Sequence, residues 1–172
     1  MTPFVSEFLG TALVITIGNG VVANVVLPNT KGNNGGLISI VFGWMIAVFI
    51  GVYVTASISG AHLNPAVTIA LASAGKFSWA LVPSYILAQL LGAMFGALLV
   101  WMVYKDHFME CNDASAKLAV FSTGPSIRNL PQNFITETLA TMLFLIGIFF
   151  LKSAGSDLGS LSALPVALLV GG

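Results

Sequence analysis

The sequence predicts an all-α membrane protein built as an inverted repeat, and three observations predict it. Hydrophobic residues make up 57% of the 172 residues and charged ones 7%, with a mean hydropathy of +0.97, values outside the usual range of soluble domains. Four apolar stretches, residues 4–27, 37–58, 79–104 and 132–151, each meet the roughly 20 residues a helix needs to cross the hydrocarbon layer. Finally, the run that opens at Phe4, Phe-Val-Ser-Glu-Phe-Leu-Gly-Thr-Ala-Leu, returns at Phe134 as Phe-Ile-Thr-Glu-Thr-Leu-Ala-Thr-Met-Leu, with Phe, Glu, Leu, Thr and Leu in register. Glu7 and Glu137 are 130 positions apart, with an odd number of crossings per copy, so the second copy enters from the opposite side.

Residues 4–27 form a retained first span, too long for a signal-peptide core and lacking a basic start or a small-residue cleavage site. Asn33-Asn34-Gly35-Gly36 marks a turn before the second span, 37–58. Residues 59–76 are a polar pause followed by a short helix. Asn64 can cap the first free N–H groups, and Pro65 at the first helical position lacks the N–H that would be orphaned. The helix expected from Ala66 to Ala74 cannot cross a bilayer and should dip in and end part-way. Non-helical backbone at membrane depth is tolerated only where protein buries it or it lines a watery cavity, so a polar path is implied. Span three, 79–104, carries Gly92 and Gly96 as a close-packing pair, within one bundle or between subunits. A polar connector, 105–131, leads to span four, 132–151; a second, 152–160, leads to the start of a fifth span, 161–172. The repeat offset would place a second Asn-Pro-Ala-like turn at about 194, past Gly172, giving one membrane domain of about one and a half repeats.

Six basic residues balance six acidic ones, which sets aside nucleic acid as a partner. A lone cysteine, Cys111, makes neither an internal disulfide nor a metal site. With the N-terminus cytoplasmic, Lys31, Lys105, Lys117 and Arg128 would lie outside, against Lys76 and Lys152 inside, a bias that favours the reverse orientation.

Glu7 and Glu137 are the only acidic residues inside apolar spans, where a carboxyl group is costly and faces the bundle interior. A proton relay is one reading; the better one has each carboxylate accept backbone N–H groups of a re-entrant loop that lacks its own partners. Gln89, in mid-span, should bond a neighbouring helix or loop. His62, with no second histidine or carboxylate near it in sequence, is better read as a packed, hydrogen-bonded residue than as a pH gate or metal ligand. Trp79, Trp101, Tyr85 and Tyr104 fall near span ends and are expected as interfacial belt residues. A hydrolase using Ser57 or Ser59 with His62 is disfavoured, because no acid is placed to orient the base and no nucleophile turn is present.

Glu7-Phe8-Leu9-Gly10-Thr11, Ser59-Gly60-Ala61-His62-Leu63-Asn64-Pro65-Ala66-Val67-Thr68 and Ala88-Gln89-Leu90-Leu91-Gly92-Ala93 together resemble the aquaporin superfamily. Trp44, and Phe121-Ser122-Thr123 with Pro125, look like its glycerol-facilitator branch. The resemblance implies a passive channel for glycerol, water and other small neutral solutes that excludes ions and protons. It implies no enzyme activity, cofactor or metal, and a homotetramer in a bacterial cytoplasmic membrane. It also implies that the carbonyls of Gly60, Ala61, His62 and Leu63 form an acceptor ladder along the cytoplasmic half-channel. Asn64 would point its amide into the pore, with Pro65 and Ala66 holding the turn, and Trp44 would wall a constriction. Family members carry a second Asn-Pro-Ala-type turn followed by an arginine, which this chain does not supply. On that ground Glu137 lacks its loop, and the chain is expected either to conduct or to be a half-channel that needs a partner.

Overall fold

The structure, a computed structural model, describes residues 1–151 and 161–171. The described residues form eight α-helices: α1 (Pro3–Val26), α2 (Gly36–Ser59), α3 (Pro65–Ser73), α4 (Val82–Val103), α5 (Lys105–Glu110), α6 (Ala114–Ala119), α7 (Leu130–Leu151) and α8 (Leu164–Gly171). A 3-10 turn at Trp79–Leu81 leads into α4. Four helices, α1, α2, α4 with its leading turn, and α7, are long and apolar enough to cross a membrane. They run Pro3–Val26, Gly36–Ser59, Trp79–Val103 and Leu130–Leu151. Connector 152–160, with Lys152 and Asp157, lies outside the described residues.

The distribution of side chains is that of helices solvated by lipid. Buried positions are held by small and polar residues such as Ala12, Ala23, Ala47, Ala88, Ser6, Thr55 and Gln89, while Leu37, Phe42, Leu87, Met94, Phe134 and Leu143 face outward. Hydrocarbon gives no reason to hide leucine, so contact surfaces select for residues that let backbones approach. The protein is a multi-pass membrane protein.

α1 is the central element, lying between α2 and α4. Along the α1–α2 seam Gly10 meets Thr55, Gly51 meets Val14, Gly18 meets Trp44 and Gly43 meets Val21, a pairing that runs antiparallel. Along α4 the register is parallel. A Cβ on Gly92 would strike the backbone of Phe8, and one on Gly96 the carbonyl of Ala12. The Gly92–Gly96 pair therefore packs inside the bundle. α8 lies on the other side of α2, α7 on α8, and α3 bridges α4 to α7, so packing order runs α4, α1, α2, α8, α7 and back through α3.

Two expectations are corrected. The 105–131 connector is not simply polar: α5 and α6 fold back so that Phe108, Cys111 and Val120 are buried with Ala23, Leu27 and Val100. The rings of Phe108 and Phe121 stack at 5.6 Å, and His107 Nδ1 lies 3.0 Å from the Pro28 carbonyl oxygen. Tyr85 is not a belt residue, since only 5% of it is exposed, against 58% for Trp79 and 45% for Trp101.

Candidate functional site

α2 stops at Ser59 because Gly60 takes a left-handed conformation, φ 83°, ψ 3°, that glycine adopts without a Cβ penalty. Ala61 and Leu63 then also take positive φ, 51° and 49°. For an L-residue with a side chain this costs about 1–2 kcal/mol each. What holds them there is the fully buried carboxylate of Glu7. It accepts the N–H of His62 at 3.0 Å and of Leu63 at 2.8 Å, the Ser59 hydroxyl at 2.6 Å and the Gln89 side-chain amide at 2.8 Å. Hydrogen bonds to a charged group contribute about 1.5–3 kcal/mol each, so the two backbone bonds offset the strain. Ser59 Oγ meanwhile accepts the N–H of Ala61 at 3.2 Å.

The direction of the carbonyls follows from peptide planarity. In a trans peptide the C=O of one residue points opposite to the N–H of the next. The N–H groups of Ala61, His62 and Leu63 converge on Ser59 and Glu7, so the carbonyls of Gly60, Ala61 and His62 point away from α1. Among the described residues nothing donates to the carbonyl oxygens of Gly60 and Ala61, nor to that of Leu63. The Leu63 side chain meanwhile fits the notch formed by Gly10 on α1 and Gly51 on α2.

Asn64 ends the loop in an extended conformation, and its side-chain oxygen accepts the N–H of Ala66 at 2.8 Å. The cap leaves its NH2 with no partner among the described residues, on an exposed side chain. Pro65 opens α3, which ends after nine residues at Ser73. No continuous helix joins α2 to α3.

Behind the loop lies a second layer of anchors that the sequence reading did not single out. Thr68, buried one turn into α3, donates its hydroxyl to the Asn64 carbonyl at 3.1 Å and accepts the Gln89 amide at 3.0 Å. His62 Nδ1 lies 3.1 Å from the same oxygen. Tyr85 donates its hydroxyl to the Ser59 carbonyl at 2.9 Å. Its ring meets those of His62 and Phe77 at 4.9 and 4.7 Å, and His62 meets Phe77 at 4.6 Å. Tyr85, Gln89, Gly92 and Gly96 are spaced along one stripe of α4, the signal by which Tyr85 was findable.

The structure thus brings together Glu7, Gln89, Gly60, Ala61, His62, Leu63, Asn64, Pro65 and Ala66. Trp44 and Glu137 lie apart. Trp44 is half-buried with one ring face over Gly18, seven residues before Gly51 on α2 and so about 10 Å along the axis from the Leu63 notch. Glu137 is exposed in an open groove of α7 with Phe134, Thr138, Thr141 and Met142. Ser59 donates to the Glu7 carboxylate, which also accepts the His62 and Leu63 N–H groups and the Gln89 amide, rather than to His62, so the serine–histidine pairing a hydrolase would use is not formed.

The chain is similar to known proteins along its length. The sequence profile of the family described as Major intrinsic protein matches residues 1–171. A probable glycerol uptake facilitator protein of Thermotoga maritima is 53% identical over 148 residues, 86% of this chain and 63% of that protein. A glycerol uptake facilitator protein of Streptococcus pneumoniae is 50% identical over 151 residues, 88% of this chain and 64% of that protein. The X-ray structure of the aquaglyceroporin from Plasmodium falciparum superposes with a TM-score of 0.83 at 34% identity, covering 98% of this chain and 69% of that one. The chain spans just under two thirds of the length of these two bacterial relatives.

Proposed function

The chain belongs to the major intrinsic protein family, and from that premise we propose that the protein is a passive transmembrane channel for glycerol, water and similar small neutral solutes, excluding ions and protons. The observation that carries the proposal is the clamped loop that ends on Asn64. Carbonyls of Gly60 and Ala61, turned away from the anchored N–H groups that follow them, offer successive acceptors, and the Asn64 amide adds a fixed donor at the end of the loop. A polyol presents hydroxyls that both donate and accept, and such a row accepts their protons in turn. Trp44, about 10 Å along α2 from the Leu63 notch, would supply a flat apolar face for the carbon side of the solute at a separate point on its path. The N-terminus of α3 carries roughly half a positive charge. At mid-membrane that charge repels cations and breaks a proton-conducting chain of waters. The glycerol uptake facilitators among the relatives support a polyol over water alone.

A second reading is favoured by the exposure of Asn64 and by the open face of α7 around Glu137. In it residues 1–172 form one wall of the pore and conduct only when a complementary wall covers that side. Light scattering from vesicles in a glycerol gradient separates the two. Reswelling faster than empty lipid supports the first; reswelling only when a complementary polypeptide is co-inserted supports the second. Neither preparation exceeding empty lipid overturns both.

A further inference from the structure

The geometry points to Tyr85 as a positioning residue that sets the direction of the loop carbonyls and so the preference of the pore for polyol over water. This inference rests on the channel reading. The chain leaves the helical path at the Ser59–Gly60 peptide, and that peptide is held from two sides. On one side the Ser59 side chain bonds Glu7 and the Ala61 N–H. On the other the Tyr85 hydroxyl bonds the Ser59 carbonyl, while the Gly60 N–H closes α2 on the Ala56 carbonyl. Glu7 fixes the N–H groups that follow, yet φ and ψ of Gly60 are the softest link before them. With the Ser59 carbonyl pinned, rotation of the Ser59–Gly60 peptide plane is blocked, and the Gly60 carbonyl keeps its direction. Without the pin, Gly60 has other wells available, and the first acceptor of the row swings out of line. Water, a small solute that tumbles and finds acceptors in any order, tolerates that; a three-carbon polyol bonding several acceptors at once does not.

The ring of Tyr85 has a separate task. It fills the space between His62 and Phe77, and Tyr85→Phe keeps that filling while removing only the hydroxyl. In vesicles holding the protein, Tyr85→Phe should lower the ratio of glycerol to water permeability by about three- to tenfold, the range set by one neutral hydrogen bond. Hydrogen exchange at the Gly60 and Ala61 amides should quicken by a similar factor. Phe77→Leu loosens the same aromatic cluster without touching the hydroxyl, and should lower thermal stability while leaving the ratio as it was. An unchanged ratio and unchanged exchange in Tyr85→Phe would overturn the inference, as would an equal change of ratio in Phe77→Leu. A Tyr85→Phe protein that no longer folds would also overturn it, because the hydroxyl would then be scaffold rather than a positioning group. If the parent passes no glycerol above empty lipid, the channel reading fails, and the exchange measurement still decides the clamp.

Discussion

Two copies of one motif have different surroundings among the described residues. Glu7 and Glu137 sit at matching places in the repeated run, yet Glu7 is fully buried and accepts four donors, while Glu137 is exposed in an open groove with no bonded partner among the described residues. The helical sequence around the two is similar, so the helix alone does not make the buried site. What differs is the re-entrant loop: residues 59–63 bring the Ser59 hydroxyl and the N–H groups of His62 and Leu63 to Glu7, and α4 brings Gln89. A carboxylate in a membrane helix is thus one half of a socket whose other half is backbone with nowhere else to bond.

The largest expected effect comes from breaking the occupied socket. Glu7→Leu takes the acceptor from the N–H groups of His62 and Leu63, at about 1–3 kcal/mol each, and leaves the Ser59 hydroxyl and the Gln89 amide with only their bonds to the Thr55 carbonyl and the Thr68 hydroxyl. The protein should not be recovered as a monodisperse species from detergent, as size-exclusion chromatography will show. Recovery and melting temperature equal to those of the unsubstituted protein would contradict this.

Next comes the seam that carries α4 to Glu7. Gly92→Ala drives a Cβ into the Phe8 backbone, and overpacking of that kind costs about 1–3 kcal/mol. Gly20→Ala, where nothing among the described residues lies within 4 Å of an added Cβ, should be neutral or stabilise by up to about 1 kcal/mol. Thermal melts of the two in one detergent test this. Third, Asn64→Ala removes the α3 cap at about 1 kcal/mol and the amide proposed to meet solute, so on that proposal glycerol flux in vesicles should fall by more than the stability loss accounts for. The smallest effect is at the far end of the loop, where Lys76 Nζ lies 5.0 Å from the Phe149 ring centroid. Lys76→Met should cost about 0.5–1 kcal/mol or less in a melt.

Much of this was legible in residues. Asn64-Pro65 forces a helix start in any setting, and the buried role of Glu7 follows from the cost of a lone carboxyl in lipid. Tyr85 was misread because its place near a span end matches an interfacial belt; only its stripe with Gln89 and Gly92 on α4 sets it apart. Thr68 went unread for a related reason, since a threonine four residues after a cap is ordinary until a glutamine on another helix is brought to it. α5 and α6 were invisible because six-residue helices have no periodicity to detect. Cys111 and Val120 reach the ends of α1 and α4 only through tertiary folding. The same limit applies to Trp44, whose contact with Gly18 is a matter of register between helices.

The most direct test of the central claim is the reactivity of position 64 itself. Asn64→Cys, with the unsubstituted protein and its buried Cys111 as background, is treated with a small membrane-impermeant thiol reagent in the presence and absence of glycerol. A clamped loop that presents residue 64 to a wet solute path predicts labelling from the aqueous phase that glycerol slows. Labelling only by lipid-soluble reagents, or labelling indifferent to glycerol, would contradict it.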